Sequence, residues 1–181
     1  TKERDMFFQN EAQRELFSKL KEILSNYYGK RNLIINKDKE GKEDASFKVV
    51  RGSAAVQVFP YSYRKTDTMV TLLTIVTYQN PYSSKLADWI VRLNPKIIFG
   101  GFGFVEYKEK PGFGNVVLYY DMLGKTITSD ELCSAVDNSC TLADKWDNYI
   151  VENFGGLTDE MSSKQYREEK KADPGPEEVW E

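Results

Sequence analysis

Apolar residues recur every three or four positions in three stretches of the chain, a spacing typical of amphipathic helices. The first covers residues 7–28 and ends before Gly29, a residue type that is common just beyond helix C-termini. The second is short, begins at Ser83 or Ser84 as the capping residue, and is closed at Asn94 by the proline that follows. These spacings predict two helices in roughly the first half of the chain.

The third helix has the clearest start signal. Thr128 and Glu131 have the spacing of a capping box, in which each side chain binds a free backbone amide of the other residue. An apolar stripe follows from Leu132 to Phe154, and two glycines then end the helix. We therefore expect a helix that ends at Phe154.

Runs of β-branched and aromatic residues predict strands between the helices. Residues 33–35 predict a short strand, the polar residues 36–46 a loop, and residues 69–78, apolar on both faces, a central strand. Two further strands, at 97–107 and 115–123, are joined by a connection containing proline and glycine. We expect these two strands to pair as an antiparallel hairpin.

One segment leaves the number of strands open. Residues 47–59 contain Gly52 and Ser53, which fit either a tight turn between two strands or a bulge within one long strand. Pro60 is expected to end the pairing there because proline has no amide donor. With one long strand, the order is helix, three strands, helix, two strands, helix. This order predicts the α+β class, an antiparallel sheet with helices packed on one face.

Length and composition indicate one folded domain with an appended segment. The chain has 181 residues, of which 40% are apolar and 29% charged, enough for a single core. We place the domain at residues 1–156. Residues 157–181 carry eight acidic against four basic residues and few aliphatic ones, which predicts a flexible tail or a lightly docked helix. Trp180 in this segment is either a docking residue or an exposed end residue.

Charge and hydropathy exclude two classes of partner. The net charge of −3 provides no excess of positive charge to neutralise a phosphate backbone, so we expect no nucleic acid. No apolar run approaches the roughly 18 residues that a membrane-spanning helix needs. The first residues also lack the pattern of a signal peptide, and a cytoplasmic location is expected.

The chain has no histidine, which removes the usual general base or metal ligand of serine, cysteine and metal-hydroxide hydrolases. The two cysteines, Cys133 and Cys140, lie two helical turns apart, roughly 10 Å, and should be reduced, partly buried thiols. Asp137 and Asp144 are expected on the solvated side of the third helix. We predict no catalytic residue, no metal site and no cofactor.

The glycine-rich residues 100–103 lack the remaining features of a phosphate-binding loop. Glycines within a strand more often mark a bulge or a close approach of another backbone segment. We therefore expect Phe99, Phe102 and Phe104 to pack on a curved sheet.

Several segments resemble one protein family. They are the end of the second helix with its following strand (Asn94-Pro-Lys-Ile-Ile-Phe-Gly-Gly-Phe-Gly-Phe104), Val116-Val-Leu-Tyr-Tyr120, Thr128-Ser-Asp-Glu-Leu132 and Ala143-Asp-Lys-Trp-Asp-Asn-Tyr149. Together they resemble the YbjN-like family, whose fold is similar to that of type III secretion chaperones. The likeness covers residues 7–155 in element order, with local matches at 84–150. It implies a non-enzymatic interaction or regulatory protein, often dimeric, of a cyanobacterial or chloroplast branch, and carries over no catalytic residue.

The function predicted from these observations is a non-catalytic, chaperone-like protein-binding or regulatory module. Its partner would be an unidentified protein, and it would assemble as a homodimer. The candidate partner-binding residues, for which a core role is the alternative, are Leu86, Trp89, Leu93, Phe99, Phe102 and Phe104.

The alternative function is a small-ligand carrier, or an enzyme that uses carboxylate and tyrosine chemistry. Its pocket would lie between sheet and helices and be lined by Tyr61, Tyr63, Tyr107 or Tyr119.

Overall fold

The computed structural model describes residues 8–37, 43–64 and 67–172. They form one antiparallel sheet of six strands, four α-helices and a short 3₁₀ helix, which confirms the predicted α+β class. In chain order the elements are α1 (Glu11–Tyr28), β1 (Leu33–Lys37), β2 (Glu43–Arg51), β3 (Ala54–Tyr63), β4 (Asp67–Pro81), α2 (Ser84–Leu93), the 3₁₀ helix (Asn94–Lys96), β5 (Gly101–Tyr107), β6 (Lys110–Leu123), α3 (Ser129–Phe154) and α4 (Asp159–Ala172).

The helices begin where a side chain binds a free backbone amide. The Asn10 side chain accepts a hydrogen bond from the Gln13 amide at 3.0 Å, so α1 begins at Glu11 and not at residue 7 as predicted. Ser83, the first of the two serines, caps α2 through the Leu86 amide at 3.1 Å. These side-chain caps therefore determine the residue at which α1 and α2 each begin.

The third predicted helix is confirmed at both ends. Thr128 Oγ1 accepts from the Glu131 amide at 3.1 Å, as the capping box requires. Gly155 and Gly156 adopt φ of 79° and 99°, a region that disfavours other residues and ends α3.

The sheet has the order β1-β2-β3-β4-β6-β5, and β4 lies near its centre as predicted. Gly52, at φ 62°, forms a turn with Ser53, and Arg51 pairs with Ala54 directly beyond it. The turn is therefore the correct one of the two alternatives. Four strands, not three, precede α2.

Two predicted strand limits in the N-terminal half were wrong. Pro60 does not end the pairing, because β3 continues through it and pairs with β4 as far as Tyr63. The proline is tolerated because the pairing of β3 with β2 ends at Val58, which leaves the other side of Pro60 without a ladder. The predicted loop at 36–46 is shorter, since β1 extends to Lys37 and β2 begins at Glu43. Residues 38–42 lie outside the described residues.

The hairpin of β5 and β6 also differs in its limits. β5 begins at Gly101 and not at residue 97, and β6 begins at Lys110 and not at residue 115. The Asn94 side chain binds both backbone groups of Phe102, at 2.7 Å and 3.0 Å, and so fixes where the strand starts. The predicted antiparallel pairing is confirmed.

The core lies between one face of the sheet, here called the inner face, and helices α1 and α3. Leu20 and Leu24 of α1 and Leu132 and Val136 of α3 are fully buried. The Phe17 ring of α1 stacks on the Phe47 ring of β2, with 4.4 Å between centroids, and joins helix to sheet.

The segment after α3 returns to the sheet. Leu157 forms a β-bridge with Tyr78 of β4, and the Tyr78 hydroxyl donates to Asp159 at the start of α4. Residues 159–172 are helical, as in one of the two predicted alternatives. Residues 173–181, with Trp180, lie outside the described residues.

Candidate functional site

The six predicted partner-binding residues lie around α2 and β5, and the structure divides them. Leu86 and Phe102 belong to the core, with 1% and 2% of their surface exposed. The other four are half-buried and pack against the core; they are Trp89, Leu93, Phe99 and Phe104. The alternative prediction, a role in the core, therefore holds for two of the six residues, Leu86 and Phe102.

Trp89 joins α2 to α3 and β5. Its ring centroid lies 5.4–5.8 Å from those of Phe102, Trp146, Tyr149 and Phe154. These distances are typical of packed aromatic pairs, so the cluster holds α2 in place. The aromatic cluster therefore also fixes the position of the surface formed by α2 and β5.

Three apolar side chains at this end of the molecule project into solvent. Tyr82 just before α2, Val91 on α2 and Ile98 after the 3₁₀ helix are 60%, 68% and 87% exposed. The Tyr82 ring also packs edge-on against the Phe104 ring of β5, at 5.5 Å between centroids. We call Tyr82 and Ile98 the α2–β5 patch; Val91 follows Trp89 by two residues and therefore lies on nearly the opposite side of α2 from β5. Periodicity did not single out these residues, because their exposure depends on how α2 is docked.

β5 is an edge strand whose free side is only partly occupied. The Asn94 side chain occupies both backbone groups of Phe102, which shows that these groups point away from β6. Backbone direction alternates along a strand, so the amide and carbonyl of Phe104 and Glu106 also point to the free side. From Gly101 to Tyr107 the only charged residue is Glu106, so the strand has little of the charge that protects natural sheet edges.

A second surface is the sheet face opposite α1 and α3, which we call the outer face. The register places Ile34, Lys48, Gln57, Leu73 and Tyr119 side by side across the first five strands of the sheet order. The next outward-facing positions include Phe59, Thr71 and Asp121, followed by Tyr61, Met69 and Leu123. Tyr119 and Leu123 are 48% and 55% exposed. The face is therefore apolar and exposed at Tyr119 and Leu123, whereas Lys48, Gln57 and Ile75 line a cavity beside the start of α4.

A polar network ties α1, α3 and the β2–β3 turn together. Asp137 of α3 accepts hydrogen bonds from the hydroxyls of Tyr28, at 2.9 Å, and Tyr27, at 3.3 Å, and forms an ion pair with Arg51. The expectation that Asp137 lies on a solvated helix face was therefore wrong, because the turn folds back onto α3. Asp144 accepts from Ser53 of the same turn at 2.7 Å. Both carboxylates have structural partners.

Because of this network, the free energy of unfolding should fall as the pH rises above about 10. Burial, with the hydrogen bond to Asp137, raises the pKa of Tyr28 well above its ordinary value of 10.0. The unfolded chain therefore releases the Tyr28 proton at a lower pH than the folded chain does. The contribution of Tyr28 to the free energy of unfolding is complete below about pH 10 and is lost as the pH rises. Tyr28→Phe should make the decline less steep, by up to about 1.4 kcal/mol per pH unit. Urea unfolding at a series of alkaline pH values tests this, and equal slopes in both proteins would contradict it.

A cavity of about 330 Å³ lies beside the Tyr78 end of β4, between the β2–β3 turn, α3 and the start of α4. Its lining includes the carboxylates of Asp144, Asp147, Asp159 and Glu160. Burial raises the pKa of Asp147. Within residues 8–37, 43–64 and 67–172, no group of acidic and cysteine side chains converges as a metal ion requires.

The four tyrosines predicted to line a pocket do not come together between the sheet and the helices. Tyr61 and Tyr119 lie on the outer face, Tyr63 at the exposed end of β3, and Tyr107 binds Asn115 and the Gln79 amide. None of the four lines the cavity. Strand alternation placed them away from the space between sheet and helices.

The two cysteines are free and buried in α3, as predicted. Burial raises the pKa of Cys133 and raises that of Cys140 to about 11. Both therefore remain thiols near neutral pH and are weak nucleophiles.

Comparison with known proteins shows a similarity of fold. No family model matches the chain, and no curated protein matches it. Among solved structures, a chain of the crystal structure of the ExsC–ExsE complex matches with a TM-score of 0.51 and 18% sequence identity, covering 74% of this chain and 94% of that chain. The fold resembles that of a secretion chaperone. At this identity the likeness concerns the fold alone.

None of the helices in the described part of the chain is both long enough and apolar enough to cross a bilayer.

Proposed function

We propose that this protein is a non-catalytic, chaperone-like module that binds a polypeptide partner at the end formed by α2 and β5. The observation that carries the proposal is the edge strand β5, beside which the exposed Tyr82 ring packs on Phe104. Backbone groups alone would bind any extended chain, and the apolar patch adds a preference for apolar side chains. The two features together suit a protein partner.

The partner would bind as an extended segment. Its backbone would pair with Phe104 and Glu106, beyond the point where Asn94 occupies the edge. Its apolar side chains would contact Tyr82 and Ile98, whose exposed surfaces gain from leaving water. Of the predicted binding residues, Trp89, Leu93, Phe99 and Phe104 would border this contact, while Leu86 and Phe102 support it from the core.

From the sequence we also propose that the protein is a member of the YbjN-like family, forms a homodimer and is located in the cytoplasm. Its domain would cover residues 1–156, with residues 157–181 as an appended segment. The likeness to a chain of a protein–protein complex, ExsC–ExsE, supports the choice of a protein as the partner. The acidic balance of the chain supports the absence of nucleic acid.

The test is affinity capture from cytosol at physiological salt with the full chain, followed by mass spectrometry. Ile98→Glu places a charge in the patch without touching the core, and should lower recovery of a stoichiometric partner at least about tenfold. Met161→Glu, which alters an exposed apolar residue of α4, is the matched control and should retain the partner. A chain lacking residues 157–181 shows whether that segment contributes. Equal recovery by the Ile98→Glu and control proteins would refute this binding site.

A further inference from the structure

Asn94 limits how far a partner segment can pair along β5. Its side chain binds both backbone groups of Phe102, so a pairing segment cannot extend to this residue. At the other end, the register of β5 shifts just after Glu106, and the regular strand edge stops there. The open edge therefore consists of residues 103–106, which a short extended segment can fill.

Antiparallel pairing suits this short edge. Within residues 103–106, Phe104 and Glu106 direct their backbone groups to the free side. In an antiparallel pair each such residue exchanges two hydrogen bonds with the residue opposite, so about four hydrogen bonds would hold the segment. The side chains of the segment would alternate between the outer and the inner face of the sheet.

On the outer face, Gly103 leaves an opening beside the Tyr119 ring. A Cβ atom added at Gly103 would lie 3.4 Å from a ring carbon of Tyr119, so the ring borders this position directly. Tyr119 and Val105, on the same face, are 48% and 53% exposed. An aromatic side chain opposite Gly103 would cover the exposed part of the ring, as cross-strand aromatic residues do for glycines at sheet edges.

On the inner face, the edge is apolar at Phe104 and acidic at Glu106. The half-buried Phe104 ring packs against the exposed Tyr82 ring, at 5.5 Å between centroids. Glu106 is exposed and accepts a hydrogen bond from the Gly112 amide at 2.6 Å, and it forms no ion pair in the described part of the chain. A positive charge opposite Glu106 would therefore be favourable, and an apolar side chain would suit the position opposite Phe104.

We propose that the partner segment at β5 carries a basic, an aliphatic, an apolar and an aromatic residue in consecutive positions. The segment runs antiparallel to β5, and the four residues lie opposite Glu106, Val105, Phe104 and Gly103, in that order. This inference rests on the proposed partner site and adds the sequence that the site selects.

Fluorescence anisotropy of labelled peptides mixed with the full chain tests this selection. The probe is Ser-Lys-Val-Leu-Trp-Ser, whose four central residues follow the proposed order. Alanine in place of the tryptophan should weaken binding about tenfold, because the Tyr119 ring then stays exposed. The reversed peptide, Ser-Trp-Leu-Val-Lys-Ser, is the matched control of equal composition. It should also bind about tenfold more weakly, since its lysine lies beside Gly103 and its tryptophan beside Glu106.

Two substitutions locate the contacts on β5. Gly103 has ordinary strand geometry, so Gly103→Val fits the strand but fills the opening. It should reduce the preference for tryptophan over alanine to less than about twofold. Glu106→Lys should weaken binding of the lysine peptide about fivefold, and a peptide with glutamate in place of the lysine should regain the original affinity within about twofold. Misfolding could not restore binding in this way.

The peptide results and partner capture report on different parts of the proposal. Equal binding of the forward and reversed peptides, or an unchanged preference for tryptophan in Gly103→Val, would overturn the proposed sequence. If Ile98→Glu still abolished partner capture in that case, the partner site would stand and only its selectivity would be wrong. Loss of the peptide preferences together with normal capture by Ile98→Glu would remove both the sequence and the site.

Discussion

Replacing Gly100 with alanine is expected to lower the free energy of unfolding by about 4 kcal/mol. Gly100 has φ of 77°, where an L-residue is strained, and an added Cβ atom would lie 2.1 Å from the carbonyl oxygen of Tyr119. Backbone on β6 cannot move away without breaking the β5–β6 pairing. The alanine variant therefore has to distort the start of β5, which borders the proposed partner site.

Gly112→Ala is the matched control for this change. Gly112 has a similar φ of 81°, but nothing lies within 4 Å of an added Cβ. The control should cost only the strain of the backbone, about 1 to 2 kcal/mol. Urea unfolding followed by tryptophan fluorescence gives both values. If the two variants were equally destabilised, the close approach of Gly100 to β6 would have no energetic role.

Replacing Phe47 with alanine should have an effect of similar size, a loss of about 4 kcal/mol. Phe47 points from β2 into the core, has no exposed surface and stacks on Phe17. Its removal leaves a cavity between α1 and the sheet that neighbouring side chains cannot fill completely. The same urea measurement, at a protein concentration low enough to keep the chain monomeric, tests this value.

Phe59 provides the control for Phe47, because it lies on the neighbouring strand but faces the other way. It belongs to the outer face and is only half-buried. Phe59→Ala should therefore cost about 1 kcal/mol in the monomer, since less apolar surface is returned to water. Equal losses at both positions would contradict the expected effect of this difference in burial.

Much of the fold could be predicted from local patterns. The caps of α2 and α3, the glycines after α3 and the β-branched run of β4 act through neighbouring residues. Gly52 and Ser53 left two alternatives, because a turn and a bulge have the same local composition and differ only in which strands pair. Pro60 misled the prediction, since its cost depends on whether a neighbouring strand needs its amide.

The candidate site was predicted only in part. The sequence pointed to α2 and β5, but periodicity could not separate the buried Leu86 and Phe102 from the exposed Val91 and Ile98. The distinction depends on the aromatic cluster around Trp89, whose members come from α2, β5 and α3. Asp137 was likewise assigned to a solvated face because its partner Arg51 is distant along the chain.

The sequence by itself determined the α+β class, the helices and their caps, the inert thiols and the lack of a histidine-based reaction centre. These properties follow from composition and from interactions among neighbouring residues. Only the tertiary structure decided which sheet face packs against α1 and α3, which side of β5 is free and that Arg51 pairs with Asp137. Those properties depend on strand order and helix docking, which bring together residues that no local pattern relates.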